Sequence, residues 1–215
     1  MSTTSTPRPE RKTRSDGERS RRTILDAAAK LATIEGLEGL SIGRLADHIG
    51  MSKSGLYAHF GSKEELQLAA IETAGAIFDA EVIAPAEKAA APLEQVQVLC
   101  EKFLSHVERG VFPGGCFFAS AAAEFDTHPG PVRERISEFQ RGWTDRLVEL
   151  VREAQAAGEL HAEEDPDQLV FELNGYLLMA NMAFLLYGSP QPIERARNAV
   201  AARLSAGRTP ARVAE

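Results

Sequence analysis

Along most of the chain the apolar residues recur every three or four positions, the spacing of one face of an α-helix. Ile24, Leu25, Ala28, Leu31 and Ala32 keep that spacing in a first amphipathic helix over residues 17–35, and Gly36 supplies its stop. Two short helices follow. Ser41 precedes residues 42–48, Gly50 interrupts, and Ser52 caps a second stretch running to about Phe60. Ser62 and Glu65 then form an S-x-x-E capping box, and Leu66, Ala69, Ala70, Thr73, Ile77 and Phe78 carry a longer helix to Pro85.

Beyond Pro92 the residues Leu93, Val96, Leu99, Cys100, Phe103, Leu104 and Val107 predict another helix, closed by Gly110 and the turn at Pro113 to Gly115. A short helix over 116–125 comes next. Val132, Ile136, Phe139, Trp143, Leu147, Leu150 and Ala154 then hold a long stripe that Gly158 ends. Asp165 or Asp167 opens a very apolar helix reaching Tyr187, and Pro192 opens a last one over 193–204. No segment alternates as a half-buried strand does, so the fold class is all-α. The apolar helix approaches the length of a membrane span, but Glu172, Asn174 and Asn181 would lie unpartnered in hydrocarbon. A helix apolar nearly all round in a small domain is instead expected to be covered partly by a second copy, as a homodimer with no membrane partner.

Composition adds three constraints. The 215 residues hold two cysteines, Cys100 and Cys116, too few for a disulfide framework and in keeping with a reduced compartment. The first twenty residues are polar and offer no apolar core for an export signal, so the expectation is cytoplasmic. Charge is divided: residues 1–63 carry a net +4 and residues 64–215 a net −11, within a total of −7. A basic front on an acidic body points to one end that meets a polyanion.

Residues 42–60, IGRLADHIGMSKSGLYAHF, meet the steric demands of a helix-turn-helix. Leu45 and Ile49 face inward, Ala46 is small at the helix crossing, Gly50 takes a positive φ, and Met51 and Leu56 complete the small core. That leaves Ser52, Lys53, Ser54, Tyr57 and His59 facing outward on or beside a helix suited to the major groove. The stretch 40–66, L-S-I-x-x-L-A-x-x-I-G-M-S-K-S-G-L-Y-A-H-F-x-S-K-E-E-L, closely resembles the N-terminal signature of TetR/AcrR transcriptional regulators. The resemblance implies that Tyr57, His59 and Lys63 hold DNA phosphates, that Ser52, Lys53 and Ser54 lie nearest the base edges, and that Phe60 is structural. Ser54-Gly55 departs from the Gly-Thr frequent there, which bears on which side chains read bases.

The same resemblance implies a divergent helical body that binds a small-molecule effector and dimerises through its last two long helices, here 167–187 and 192–206. The chain then divides into a basic disordered tail (1–16), a helix-turn-helix DNA-binding domain (17–63), a helical ligand-binding and dimerisation domain (64–206) and a disordered end (207–215). Its partners are a double-stranded DNA operator and an effector, and no cofactor or metal is called for. Phe103, Phe117, Phe139 and Trp143 are candidates to line an apolar pocket, with His106, Glu124, Asn174 and Asn181 as polar anchors. Arg11, Lys12, Arg14, Arg19, Arg21 and Arg22 form either a DNA-tracking arm or a solvated face. No HExxH, CxxC, G-x-S-x-G or phosphate-cradling loop occurs, so the chain does not read as an enzyme. The alternative to a ligand-released repressor is a regulator without a small ligand, controlled by oxidation of Cys100 and Cys116 or by a protein partner.

Overall fold

The computed structural model describes the backbone of residues 10–209 and the side chains of residues 17–209. The described elements are helices: α1 (Glu10–Glu35), α2 (Ile42–Ile49), α3 (Lys53–Phe60), α4 (Lys63–Phe78), α5 (Ala84–Ala86), α6 (Pro92–Glu108), α7 (Phe117–Phe125), α8 (Pro131–Ala156), α9 (Pro166–Tyr187) and α10 (Gln191–Ala206). Helix α1 starts seven residues before the expected point. Its added turns are rich in Arg, Lys and Glu, which lose little rotamer freedom in a helix even without an apolar face. The expected tail over 1–16 thus overlaps the start of α1 at 10–16, and 1–9 lie outside the described residues. At the other end, the His161 amide donates to the Gly207 carbonyl (2.9 Å) and the Thr209 amide to Glu159 (3.2 Å), so 207–209 are tied down and 210–215 lie outside the described residues.

In the head, α1 packs along α4 and against α2, while α3 crosses α2 and leans on α4. Leu37, Leu40, Leu45, Ala46, Leu56, Phe60 and Leu66 fill the space between them. Ser41, Ser52 and Ser62 each cap the following helix by accepting an amide hydrogen three residues on. Gly50 takes φ +70° at the end of α2 and sends its amide back to Ala46. That turn points Met51 outward, 37% exposed, and corrects its expected place in the core.

Helix α4 does not run unbroken to Pro85. A π-helical segment, Asp79–Ile83, intervenes, with the Ala84 amide bonding to Asp79 five residues back. Proline has no N–H and its ring would collide with the carbonyl four residues earlier, here Glu81, and one wider turn relieves both problems.

In the body α6 packs against α8, α9, α10 and the π segment, and α8 also contacts α4, α7 and α9. Helix α9 is long and apolar enough to span a membrane, but Glu172, Asn174 and Asn181 each have a partner inside the protein. Glu172 pairs with Arg203, Asn174 Oδ1 accepts from Trp143 Nε1 (2.8 Å), and Asn181 Oδ1 accepts from the Cys116 amide (2.8 Å). Its other face remains apolar and exposed, from Phe171 through Met179 and Met182 to Leu186 and Tyr187.

Candidate functional site

The outward surface of the head is built on α3. Leu56 and Phe60 anchor that helix in the core, and Ser52, Lys53, Ser54, Tyr57 and His59 all lie exposed. Lys63, at the start of α4, is exposed too. Ser52 is already engaged as the cap, accepting from the Gly55 amide (3.2 Å), with Ser54 Oγ 3.4 Å from its hydroxyl. Lys63 Nζ donates to Glu38 (2.7 Å), and this partner holds the Glu38 carboxyl below the usual carboxylate range. A phosphate bound by Lys63 has to share its ammonium with that carboxylate.

The expected basic arm divides. Arg21 lies against α3: its guanidinium donates to the His59 carbonyl (2.9 Å) and sits 4.8 Å above the Phe60 ring. Sequence reading missed this role, which sets the end of α3 against α1. Arg19 and Arg22 are exposed, whereas the side chains of Arg11, Lys12 and Arg14 lie outside the described residues.

Head and body meet at the turn after α1. Glu124, near the end of α7, accepts the Leu37 amide (2.7 Å) and the Glu38 amide (2.9 Å) with its two carboxylate oxygens. Gly36 takes φ +83° below that carboxylate, and a Cβ there would stand 2.6 Å from it. One turn earlier on α1, Thr33 Oγ1 accepts the Gly114 amide (3.1 Å), and a Cβ on Gly114 would fall 1.8 Å from the Thr33 carbonyl oxygen. Gln67 closes the same joint by donating to the Leu37 carbonyl (2.7 Å).

Inside the body lies a cavity of about 230 Å³ between α4, α6, α7, α8 and α9. Its walls include Phe78, Phe103, Phe118, Phe139 and Trp143, and its polar groups are Cys116, Gln140, Thr144 and Asn174. Of the expected pocket residues, Phe103, Phe139, Trp143 and Asn174 line this space. The other four are displaced from it. Phe117 is core beside Phe112, Glu124 holds the joint with the head, and Asn181 secures the turn before α7. His106 is fully buried against Phe78 and Phe112, neither ring nitrogen has a partner among the described residues, and burial pushes its pKa down to about 4. The wall residues that reading missed carry a weak signal. Gln140 and Thr144 flank Phe139 and Trp143 at i, i+4 spacing, and Leu177 and Leu178 follow Asn174 by three and four.

The two cysteines are free and buried, and burial pushes the Cys100 thiol up to about 12 and the Cys116 thiol to about 11. A reactive thiol needs the opposite shift.

Residues 24–70 match the family described as "Bacterial regulatory proteins, tetR family", and residues 92–200 match "Tetracyclin repressor-like, C-terminal domain". Over 156 residues the chain is 26% identical to the transcriptional regulator AcuR of Cereibacter sphaeroides, covering 72% of this chain and 71% of that protein. Among solved structures, a TetR transcriptional regulator from Chloroflexus aurantiacus superposes with a TM-score of 0.82 and 27% identity, over 89% of this chain and 96% of the other. AibR in complex with isovaleryl coenzyme A and operator DNA is also similar, with a TM-score of 0.68 and 26% identity over 84% and 96% of the two chains.

Proposed function

The chain belongs to the tetR family of bacterial regulatory proteins, and from that premise we propose that it is a homodimeric repressor of a pseudopalindromic operator, released by a small molecule held in the body. As in its family, a helix-turn-helix head binds DNA. The observation that carries the finer reading is the placement of α7. Phe118 and Ala119 at its start line the cavity, and Glu124 near its end holds two backbone amides of the head. A ligand that moves α7 therefore pulls on the turn that positions α2 and α3. The division into a head over 17–63 and a body over 64–206 is part of this reading, with α4 crossing the boundary.

Within it, Tyr57, His59 and Lys63 hold phosphates, and Ser52, Lys53 and Ser54 stand at the base edges. Dimerisation uses the exposed apolar face of α9 with α10, where a groove of about 350 Å³ runs past Met179, Ala183 and Tyr187. The partner copy covers that face and sets two α3 helices about 34–36 Å apart, the spacing of successive major grooves. Release follows when the ligand prefers a body whose heads are wrongly spaced, and linkage then requires operator to weaken ligand binding by the same factor. AibR, in complex with isovaleryl coenzyme A and operator DNA, is a similar protein that takes both a small molecule and DNA.

The test is selection of genomic fragments by the purified protein at about 0.15 M salt, where non-specific phosphate binding is weakened. Enrichment of one pseudopalindrome, bound by two copies, is the expected result. Binding as a monomer, or enrichment of sites without a dyad, refutes the dimeric repressor.

A further inference from the structure

The cavity in the body has a lining whose chemistry narrows what it can hold. Five aromatic rings surround it, and Phe78 is the hub. It meets Phe118, Phe139 and Trp143 nearly edge-on, with ring centroids 6.2, 5.5 and 5.4 Å away. Phe118 and Phe139 lie flat on one another, their planes 2° apart. Faces and edges spaced in this way favour a planar guest, which gains offset and edge-on contacts beyond the burial of its area. An apolar cavity of about 150 Å³ is filled by benzene, so about 230 Å³ accommodates one ring with a small substituent.

The polar groups are all neutral. Trp143 can only donate, and its bond to Asn174 Oδ1 turns the Asn174 amide so that Nδ2 is left to donate elsewhere. Gln140 is turned the other way, because Nε2 donates to the Phe118 carbonyl and Oε1 is left to accept. Thr144 and the Cys116 thiol add uncharged groups, and among the described residues no Asp, Glu, Lys or Arg lines the cavity. A carboxylate or ammonium drawn in among these rings would lose hydration without a counter-charge, a cost that neutral amides do not offset. The cation nearby in the fold, Arg146, belongs to an adjoining cavity beyond the wall of Phe78, Phe139 and Trp143, and it reaches out to Glu87 at 3.2 Å.

From these features we infer that the effector is an uncharged molecule built on one planar ring, bearing a small hydrogen-bond acceptor that meets Asn174 Nδ2. This rests on the reading of the cavity as the effector site. It separates this chain's ligand from the anionic ring compounds of the same size and shape.

Trp143 is the sole tryptophan of the chain and lies in the cavity wall, so its emission reports occupancy directly. Methyl benzoate and benzoate share a ring and differ in charge at neutral pH. Titrated into the full-length protein, the ester is expected to change Trp143 emission saturably and to bind at least about tenfold tighter than benzoate. Ala119→Phe, which fills the cavity from α7, is expected to abolish the ester's effect while circular dichroism stays helical. Thr144→Arg, which supplies a cation, is expected to reverse the order so that benzoate binds more tightly. Equal or tighter benzoate binding by the unmodified protein, or no saturable response to either probe, overturns the inference, as does ester binding that survives Ala119→Phe. Operator affinity is measured in parallel with a fragment recovered by the genomic selection. Ester binding that leaves operator affinity unchanged supports the assignment of the cavity and refutes only its role in releasing DNA.

Discussion

The head and the body place their chemistry on opposite sides of their packing. In the head, Leu45, Leu56 and Phe60 are buried so that the polar groups of α3 stand in water. In the body the chemistry faces inward, and the rings that bound the cavity also hold the helices together. The consequence is a difference in tolerance. Polar exchange on α3 is expected to change recognition at little cost to folding, whereas a change in the cavity wall is expected to alter binding and stability together.

The largest expected effect lies at the seam between the two regions. Gly114→Val forces a side chain into the Thr33 carbonyl, a backbone group of α1, and is expected to cost roughly 3 kcal/mol or more. Thermal melting checks this, and a midpoint within a degree or two of the unmodified protein would show that the seam is loose. A change inside the body comes next. The His106 pKa of about 4 in the folded chain lies below its ordinary value of 6.5, so the unfolded chain takes up the proton first as pH falls. The stability that His106 contributes is whole above about pH 6.5 and is lost as pH falls toward 4, amounting to about 2 kcal/mol between pH 7 and pH 5. His106→Leu is expected to remove that slope in urea unfolding, and an unchanged slope would assign the acid sensitivity to other groups.

Glu124→Ala tests the link itself. It leaves the Leu37 and Glu38 amides without their acceptor and is expected to cost about 1–3 kcal/mol in stability. If head and body are coupled through this carboxylate, the variant also binds operator more weakly although every residue of α3 is intact. Smallest are the changes on the head alone. Lys63→Ala is expected to weaken binding to all sequences by about 1 kcal/mol or less and to lower the salt slope by about 0.9, while Lys53→Ala shifts sequence preference. A sequence-specific effect of Lys63→Ala would move that residue from phosphate to base contact.

The same contrast explains what was legible in the sequence. The head's surface follows from residues close together in the chain: the caps at Ser41, Ser52 and Ser62 and the turn at Gly50 all lie within 22 positions. Met51 escaped because periodicity marks it as apolar without telling which way a turn directs it. The cavity is assembled from five helices whose relative rotation no local pattern fixes, so Trp143 and Asn174 were recognisable as candidates while Phe118 and Thr144 were not. Glu124 and His106 read as pocket anchors from their polarity alone. The fold uses one to hold backbone amides 86 and 87 positions away and encloses the other without a partner.

The π segment at Asp79–Ile83 gives the chain one more residue between α4 and α5 than a regular helix would use. An α-helix advances about 1.5 Å and turns about 100° per residue. The extra residue therefore acts as a phase setting: upstream, Phe78 is turned to the rings of the cavity, and downstream, Val82 and Ala86 are buried where the π segment and α5 pack on α6. Loss of a single residue here would straighten the helix and leave both halves well formed, yet the face that α5 presents to α6 would be turned by more than a quarter of a revolution relative to Phe78 in the cavity wall.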